Sequence, residues 1–170
     1  MSLARRFAEG EEAAAGELYD LLADRVHHFL VVCLRSRQEA DDALQETFLR
    51  LMRHRAKLAD VENLTAYVFT VARGEALRWL QRRNRRAEVP VLAAEECFVA
   101  SESNMEDVEH VAAALASLPQ DLREVVELKV YSGLVLREIA EVTGTPLGTV
   151  ASRYRTALAK LKERFQRCLK

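Results

Sequence analysis

The chain has 170 residues, 49% apolar and 30% charged, with a formal net charge of −1. That is a folded, globular balance, and it excludes collagen-like, low-complexity and disordered classes. No apolar run approaches the roughly 18 residues of a membrane span, Arg5 and Arg6 are followed by Glu9, Glu11 and Glu12 and not by an apolar signal core, and Cys33, Cys97 and Cys168 follow no metal-ligand spacing, so a cytoplasmic protein with no metal, no cofactor and no membrane contact is expected.

Nearly everything reads as helix, because Ala, Leu, Arg and Glu dominate and no stretch alternates with β-branched enrichment. Leu18, Leu21, Leu22, Arg25, Val26, Phe29 and Leu30 follow the three-four spacing of an amphipathic helix. A second stripe runs Ala43, Leu44, Thr47, Phe48, Leu51, with Asp41 and Asp42 at its start, where acids complement the helix dipole. A third, capped by Asn63 or Thr65, runs Tyr67, Val68, Val71, Ala72, Ala76, Trp79, Leu80 and ends in a run of arginines. Pro90 and the acidic, small-residue stretch to about Ser103 read as a linker. Leu118-Pro119 and Ser132-Gly133 are breaks on either side of another apolar-periodic segment. The expected fold class is all-α: two small helical domains, 1–87 and 108–170, joined by an acidic linker over 88–107.

Charge is unevenly placed. Residues 73–86 hold six arginines against Glu75, residues 87–109 hold seven acids and no Lys or Arg, and residues 150–170 hold seven basic residues against Glu163. Two basic blocks flanking an acidic segment point to two places of polyanion contact.

Residues 134–162 read as a helix-turn-helix. Leu136, Ile139, Ala140 and Val142 form a short apolar face, Gly144 permits a tight turn, and Pro146 opens the next helix. Val150, Tyr154, Ala157, Leu158 and Leu161 would face the core, leaving Thr149, Ser152, Arg153, Arg155 and Thr156 on the other side. A basic second helix with hydroxyls suits the major groove; Arg153 can fork onto a guanine edge, while Arg155 and Lys160 suit phosphates, which position without specifying.

The segment REIAEVTGTPLGTVASRYRTALAKLKE (137–163) and its lead-in LASLPQDLREVVELKVYSGL (115–134) resemble region 4 of the extracytoplasmic-function sigma factors. Independently, EADDALQETFLRLMRH (39–54) resembles their polymerase-binding helix in region 2, and NLTAYVFTVARGEALRWLQRRNRR (63–86) resembles the promoter-melting helix that follows. The resemblance implies a dissociable specificity subunit of bacterial RNA polymerase. Region 2 would dock on the clamp coiled coil of the largest core subunit and open the −10 element of promoter DNA, and region 4 would read the −35 element. It places polymerase contacts at Asp42, Leu44, Gln45, Glu46 and Phe48. For −10 melting it points to the basic surface of Arg73, Arg78, Arg82, Arg83, Arg85 and Arg86, and for −35 recognition to Thr149, Ser152, Arg153, Arg155, Thr156 and Lys160. Tyr67 and Trp79 are the nearby aromatics; both lie on the apolar stripe and are read as core. The family also implies an anti-sigma partner that covers the polymerase-binding surfaces. A linker of 20 residues has coil dimensions of roughly 25 Å and stretches to about 65–70 Å, enough for two domains on separate promoter elements.

The chain departs from the family pattern at Gly74, where Asn is usual, at Arg78, where Asp is frequent, at Val135, where Ser or Thr precedes the first short helix, and at Ala151 and Thr156, where basic residues are common. Two readings follow: an unusual promoter, or weaker DNA binding that leans more on the polymerase. Other functions fit part of the pattern, namely a sigma-like interaction protein that melts promoters poorly and a stand-alone helix-turn-helix regulator. An enzyme is not expected. There is no metal set, phosphate-cradling glycine loop or nucleophile elbow, and His27, His28, His54 and His110 are scattered.

Overall fold

The computed structural model describes residues 2–86, 111 and 113–168, with Arg86, Arg167 and Cys168 described by backbone alone. The expected linker, with its acids and Cys97, lies outside the described residues. Among the described residues there is no strand, and no helix is long and apolar enough to cross a membrane.

A short helix absent from the sequence reading, α1 (Leu3–Ala8), starts at Ser2, whose hydroxyl accepts from the Arg5 amide at 3.4 Å. Phe7, 2% exposed, pins it against a 3-10 turn (Arg55–Asp60) that buries Leu58. Arg6 forks onto Glu11 at 2.8 and 2.9 Å and reaches Glu17 at 2.7 Å, tying α1 to the next helix and holding the Glu11 carboxyl below its ordinary range. That helix, α2 (Glu12–Leu34), buries Leu18, Leu22, Val26, Phe29, Leu30 and Leu34. Leu21, expected on the same stripe, is 57% exposed, because no described helix covers that flank of α2.

The second expected helix starts earlier than Asp41, at Arg37. Ser36 caps α3 (Arg37–Arg53) by accepting from the Glu39 amide at 3.3 Å, so the two aspartates fall inside the helix. Asn63, not Thr65, caps α4 (Leu64–Arg86), accepting from the Ala66 amide at 3.0 Å. Helices α2, α3 and α4 pack on one another around Phe29 and Phe69, which meet edge to face at 5.8 Å.

The C-terminal half comprises a helical stretch over 113–116 (α5), α6 (Gln120–Val130), α7 (Leu136–Thr143) and α8 (Leu147–Cys168). The turn between α7 and α8 rests on Gly144 at φ +62°, the left-handed conformation that a side chain resists. Val150, Tyr154, Ala157 and Leu161 of α8 face inward as expected; Leu158 is 44% exposed, since Ala157 takes the contact with α6. Val125, Leu128, Leu134, Ile139, Val142 and Val150 belong to the same apolar cluster as the α2–α4 core, so the two halves are packed together.

Arg123 is 8% exposed and makes no ion pair among the described residues; its guanidinium donates to the carbonyls of Leu115, Ala116 and Leu118, the last at 2.8 Å. The Leu115 carbonyl also accepts from the Leu118 amide at 3.1 Å, whereas Ala116 and Leu118, at and just after the end of α5, take the guanidinium. Arg123→Met keeps the apolar stem and strands the Ala116 and Leu118 acceptors, so it is expected to lower the unfolding free energy by about 2–3 kcal/mol in a urea titration.

Candidate functional site

Three surfaces carry the residues singled out from the sequence. The first is a groove of about 440 Å³ between α2 and α3, lined by Tyr19, Asp41, Leu44, Gln45, Phe48, Leu49 and Met52. The Tyr19 and Phe48 rings meet at 4.8 Å, and Tyr19, Leu49 and Met52 are 40–47% exposed. Of the residues expected to bind polymerase, Leu44, Gln45 and Phe48 line the groove, while Asp42 and Glu46 are exposed beside it on the same helix. Asp41 is held by His27 at 2.7 Å. Leu49 and Met52 were legible as the four-residue continuation of Gln45 and Phe48; Tyr19 comes from another helix and had no local signal. An apolar floor with an amide and carboxylate rim takes the apolar face of a partner helix and pairs with basic groups flanking it.

The second surface is α4, whose arginines divide into two sets. Glu75 is buried at 4% exposure and held from both sides, by Arg50 of α3 at 2.6 Å and by Arg78 one turn on, which donates to both carboxylate oxygens. Arg83 donates to the Leu34 carbonyl at 2.9 Å and lies 3.5 Å from Glu39, closing the C-terminal end of α2. Arg73 turns to Glu124 of α6 at 2.7 Å. Arg82 and Arg85 are exposed, Arg82 lying 5.8 Å from the centre of the Trp79 ring; the Arg86 side chain is outside the described residues. Tyr67 and Trp79 both pack against the core.

This arrangement accounts for one of the departures and leaves Gly74 without a structural explanation. Arg78 stands where an acid is frequent because a buried carboxylate one turn earlier requires a cation. Gly74 is not demanded by space, since a Cβ there would meet nothing nearer than the Arg78 guanidinium at 3.8 Å.

The third surface is the outer face of α8. Thr149, Ser152, Arg155, Thr156 and Lys160 are exposed there, and the Ser152 hydroxyl donates to the Thr149 carbonyl at 2.9 Å. Arg153 lies on the flank and meets Asp121 of α6 at 3.2 Å. Val135 supplies no hydroxyl cap to α7, but Glu138 reaches back and accepts from the Val135 amide at 2.7 Å, half of a capping box. Its other oxygen accepts from the Asn63 side-chain amide, joining the start of α7 to the start of α4.

The Cys33 thiol packs against the core, and desolvation, with Glu124 and Glu127 nearby, pushes its ionisation far above the ordinary range, so it is an inert thiol. Among the described residues no group of His, Cys, Asp and Glu could hold a metal ion.

The sequence matches the family profile of Sigma-70 region 2 over residues 18–86 and that of Sigma-70 region 4 over residues 109–161. Among characterised proteins it is similar to the ECF RNA polymerase sigma factor RpoE of Cereibacter sphaeroides, at 29% identity over 164 residues, covering 90% of this chain and 87% of that one. It is also similar to the ECF RNA polymerase sigma factor SigK of Mycobacterium tuberculosis, at 27% identity over 180 residues, covering 95% and 90%. Among solved structures, the Bartonella quintana sigma factor RpoE, determined with the anti-sigma factor NepR, superposes with a TM-score of 0.78 at 23% identity, covering 89% of this chain and 96% of that one. CnrH, determined with the cytosolic domain of CnrY, gives 0.72 at 22% identity, covering 96% and 95%.

Two substitutions check the reading of α4. Gly74→Ala is expected to raise stability by about 0.5–1 kcal/mol, the backbone cost of a mid-helix glycine. Glu75→Ala leaves Arg50 and Arg78 facing each other around a part-buried site and is expected to cost about 3 kcal/mol, read in the same urea titration.

Proposed function

The chain belongs to the sigma-70 family, as one of its extracytoplasmic-function sigma factors, and we propose that it initiates transcription by docking on core RNA polymerase through the α2–α3 groove. The observation that carries this is the groove itself: Leu44, Phe48, Leu49, Met52 and Tyr19 expose an apolar strip on a charged helix, rimmed by Gln45, Asp42 and Glu46. On this reading residues 1–87 act as region 2, 108–170 as region 4 and 88–107 as the connection between them. The clamp coiled coil of the largest core subunit fills the groove. Arg82 and Arg85, joined by Arg73 and Arg86, hold the backbone of the melting −10 element, and α8 enters the major groove of the −35 element with Thr149, Ser152 and Thr156 toward base edges and Arg155 and Lys160 toward phosphates.

The role is that of a subunit without chemistry of its own, acting in the cytoplasm where the polymerase is. The Bartonella structure holds a sigma factor with an anti-sigma factor and the CnrH structure holds CnrH with the cytosolic domain of CnrY, and a polypeptide anti-sigma partner is proposed for this chain as well. A second reading, a sigma-like protein that binds polymerase but melts poorly, is favoured by the arginines that α4 commits to the protein itself: Arg78 to Glu75, Arg83 to Leu34. Promoter-dependent transcription with purified core polymerase separates the two.

The docking surface is tested by binding to core polymerase. The Asp42→Ala, Gln45→Ala, Glu46→Ala triple variant is expected to lose about tenfold or more in affinity, as is Leu49→Lys, which places a charge in the apolar floor. Unchanged affinity in both would remove the groove from the interface. For promoter binding by the holoenzyme, Arg85→Gln is expected to weaken all sequences alike and to reduce the slope of log affinity against log salt by about one.

A further inference from the structure

The basic side chains along the outer face of α8 are not all held alike. Arg155 and Lys160 carry no ion pair among the described residues, whereas Arg153 does: its Nε lies 3.2 Å from a carboxylate oxygen of Asp121, in the first turn of α6. The two side chains are 31% and 49% exposed, and a pair this open to water adds little to stability. Its position matters more. At about 3.6 residues per turn, Arg153 stands about 40° round α8 from Thr149 and about 20° from Lys160, on the edge of the outer face. Beneath it, Leu118, Leu122, Val126 and Ala157 pack together with Tyr154 and Leu161 against them, so α6 and α8 keep a fixed spacing and Asp121 a fixed place beside Arg153.

A long, unpinned arginine at the edge of a groove-reading helix meets the nearest phosphate, a contact that positions the protein and reads no sequence. A carboxylate at its Nε alters that choice in two ways. It leaves the two terminal nitrogens as the fork that an outside partner meets, and such a fork takes guanine O6 and N7 together. It also sets a negative charge beside the guanidinium, which repels phosphate oxygens far more than the uncharged edge of a base. We propose that Asp121 is a positioning residue for sequence reading: from α6 it holds Arg153 off the phosphate backbone and keeps its terminal fork for a guanine in the major groove that α8 enters. The proposal rests on the reading of α8 as the −35 helix and adds to it a residue outside the helix-turn-helix that sets what the helix reads.

The test uses the full chain assembled with core RNA polymerase. The holoenzyme selects from a random-sequence duplex library, the bound fraction is sequenced, and binding to one fixed non-specific duplex is titrated with salt alongside. Asp121→Asn is expected to weaken the preference for guanine at one position of the selected site by about threefold to fivefold. Binding to the non-specific duplex is expected to hold or rise, with the slope of log affinity against log salt steeper by about one, because the released Arg153 joins the phosphate contacts. A strut between helices would lower both kinds of binding together. Arg153→Gln is expected to remove the same guanine preference, and Asp121→Asn to change nothing further at that position in its background. An acid in the first turn also complements the dipole of α6. The Gln120→Asp, Asp121→Asn double variant keeps that charge and is expected to lose the preference all the same; its recovery there would assign Asp121 to the helix and overturn the proposal. So would an unchanged guanine preference in Asp121→Asn while Arg153→Gln loses it. If Arg153→Gln leaves every position of the site unchanged, the premise that this flank of α8 reads bases falls, and the proposal with it.

Discussion

The side-chain amide of Asn63 serves two helices at once. Its oxygen caps α4 and its nitrogen donates to Glu138, which in turn closes the first turn of α7 by accepting from Val135. Both halves therefore begin a helix at the same point, and the direction of each is fixed against the other before any apolar contact is counted. The shared core accompanies that placement, with α7 packed on α4 and Ile139 and Val142 in the same apolar cluster as Phe69 and Ala72. The missing hydroxyl at Val135 is then a property of the joint as much as of the helix-turn-helix, because the carboxylate that replaces it is the one that Asn63 holds.

Buried charge sets the rest of the layout. Glu75, Arg123 and Glu127 are all under 9% exposed, and each dictates what stands around it. Glu75 recruits Arg50 and Arg78 and so locks α3, which carries the apolar groove, to α4, which carries the arginine run. Arg123 closes the end of α5 through carbonyls alone. Glu127 faces His28 across the contact between the halves. The docking groove lies away from all of these, on the far side of α3. A partner helix can therefore enter it while the halves remain packed.

The helices were legible because their burial is local and periodic: Leu18, Leu22, Val26 and Phe29, or Val150, Tyr154 and Ala157, repeat on one face whatever else the chain does. Leu21 and Leu158 show the limit of that signal. Both fit a stripe, and both are exposed, because a stripe gives a face and not the width of the neighbour that covers it. The exposed apolar strip of α3 follows from its own residues, but the groove also needs Tyr19 from α2. The arginines of 73–86 counted as one basic block in the sequence, and the fold divides them by partner: Glu124 and Leu34 lie 51 and 49 residues from Arg73 and Arg83, so no linear pattern announces them, while Glu75 and Arg78 are local helical neighbours whose burial alone was hidden. The polar contacts between the halves were illegible for the same reason, since they join residues such as Asn63 and Glu138 through groups that also suit solvent.

The account turns on the groove between α2 and α3 as the surface that meets the polymerase. The most direct measurement is cross-linking to core polymerase from a photoreactive group placed at Leu49, 40% exposed in the groove floor. The account predicts a cross-link to the largest core subunit. A chain that still binds core polymerase but cross-links to no part of it from that position would contradict the account.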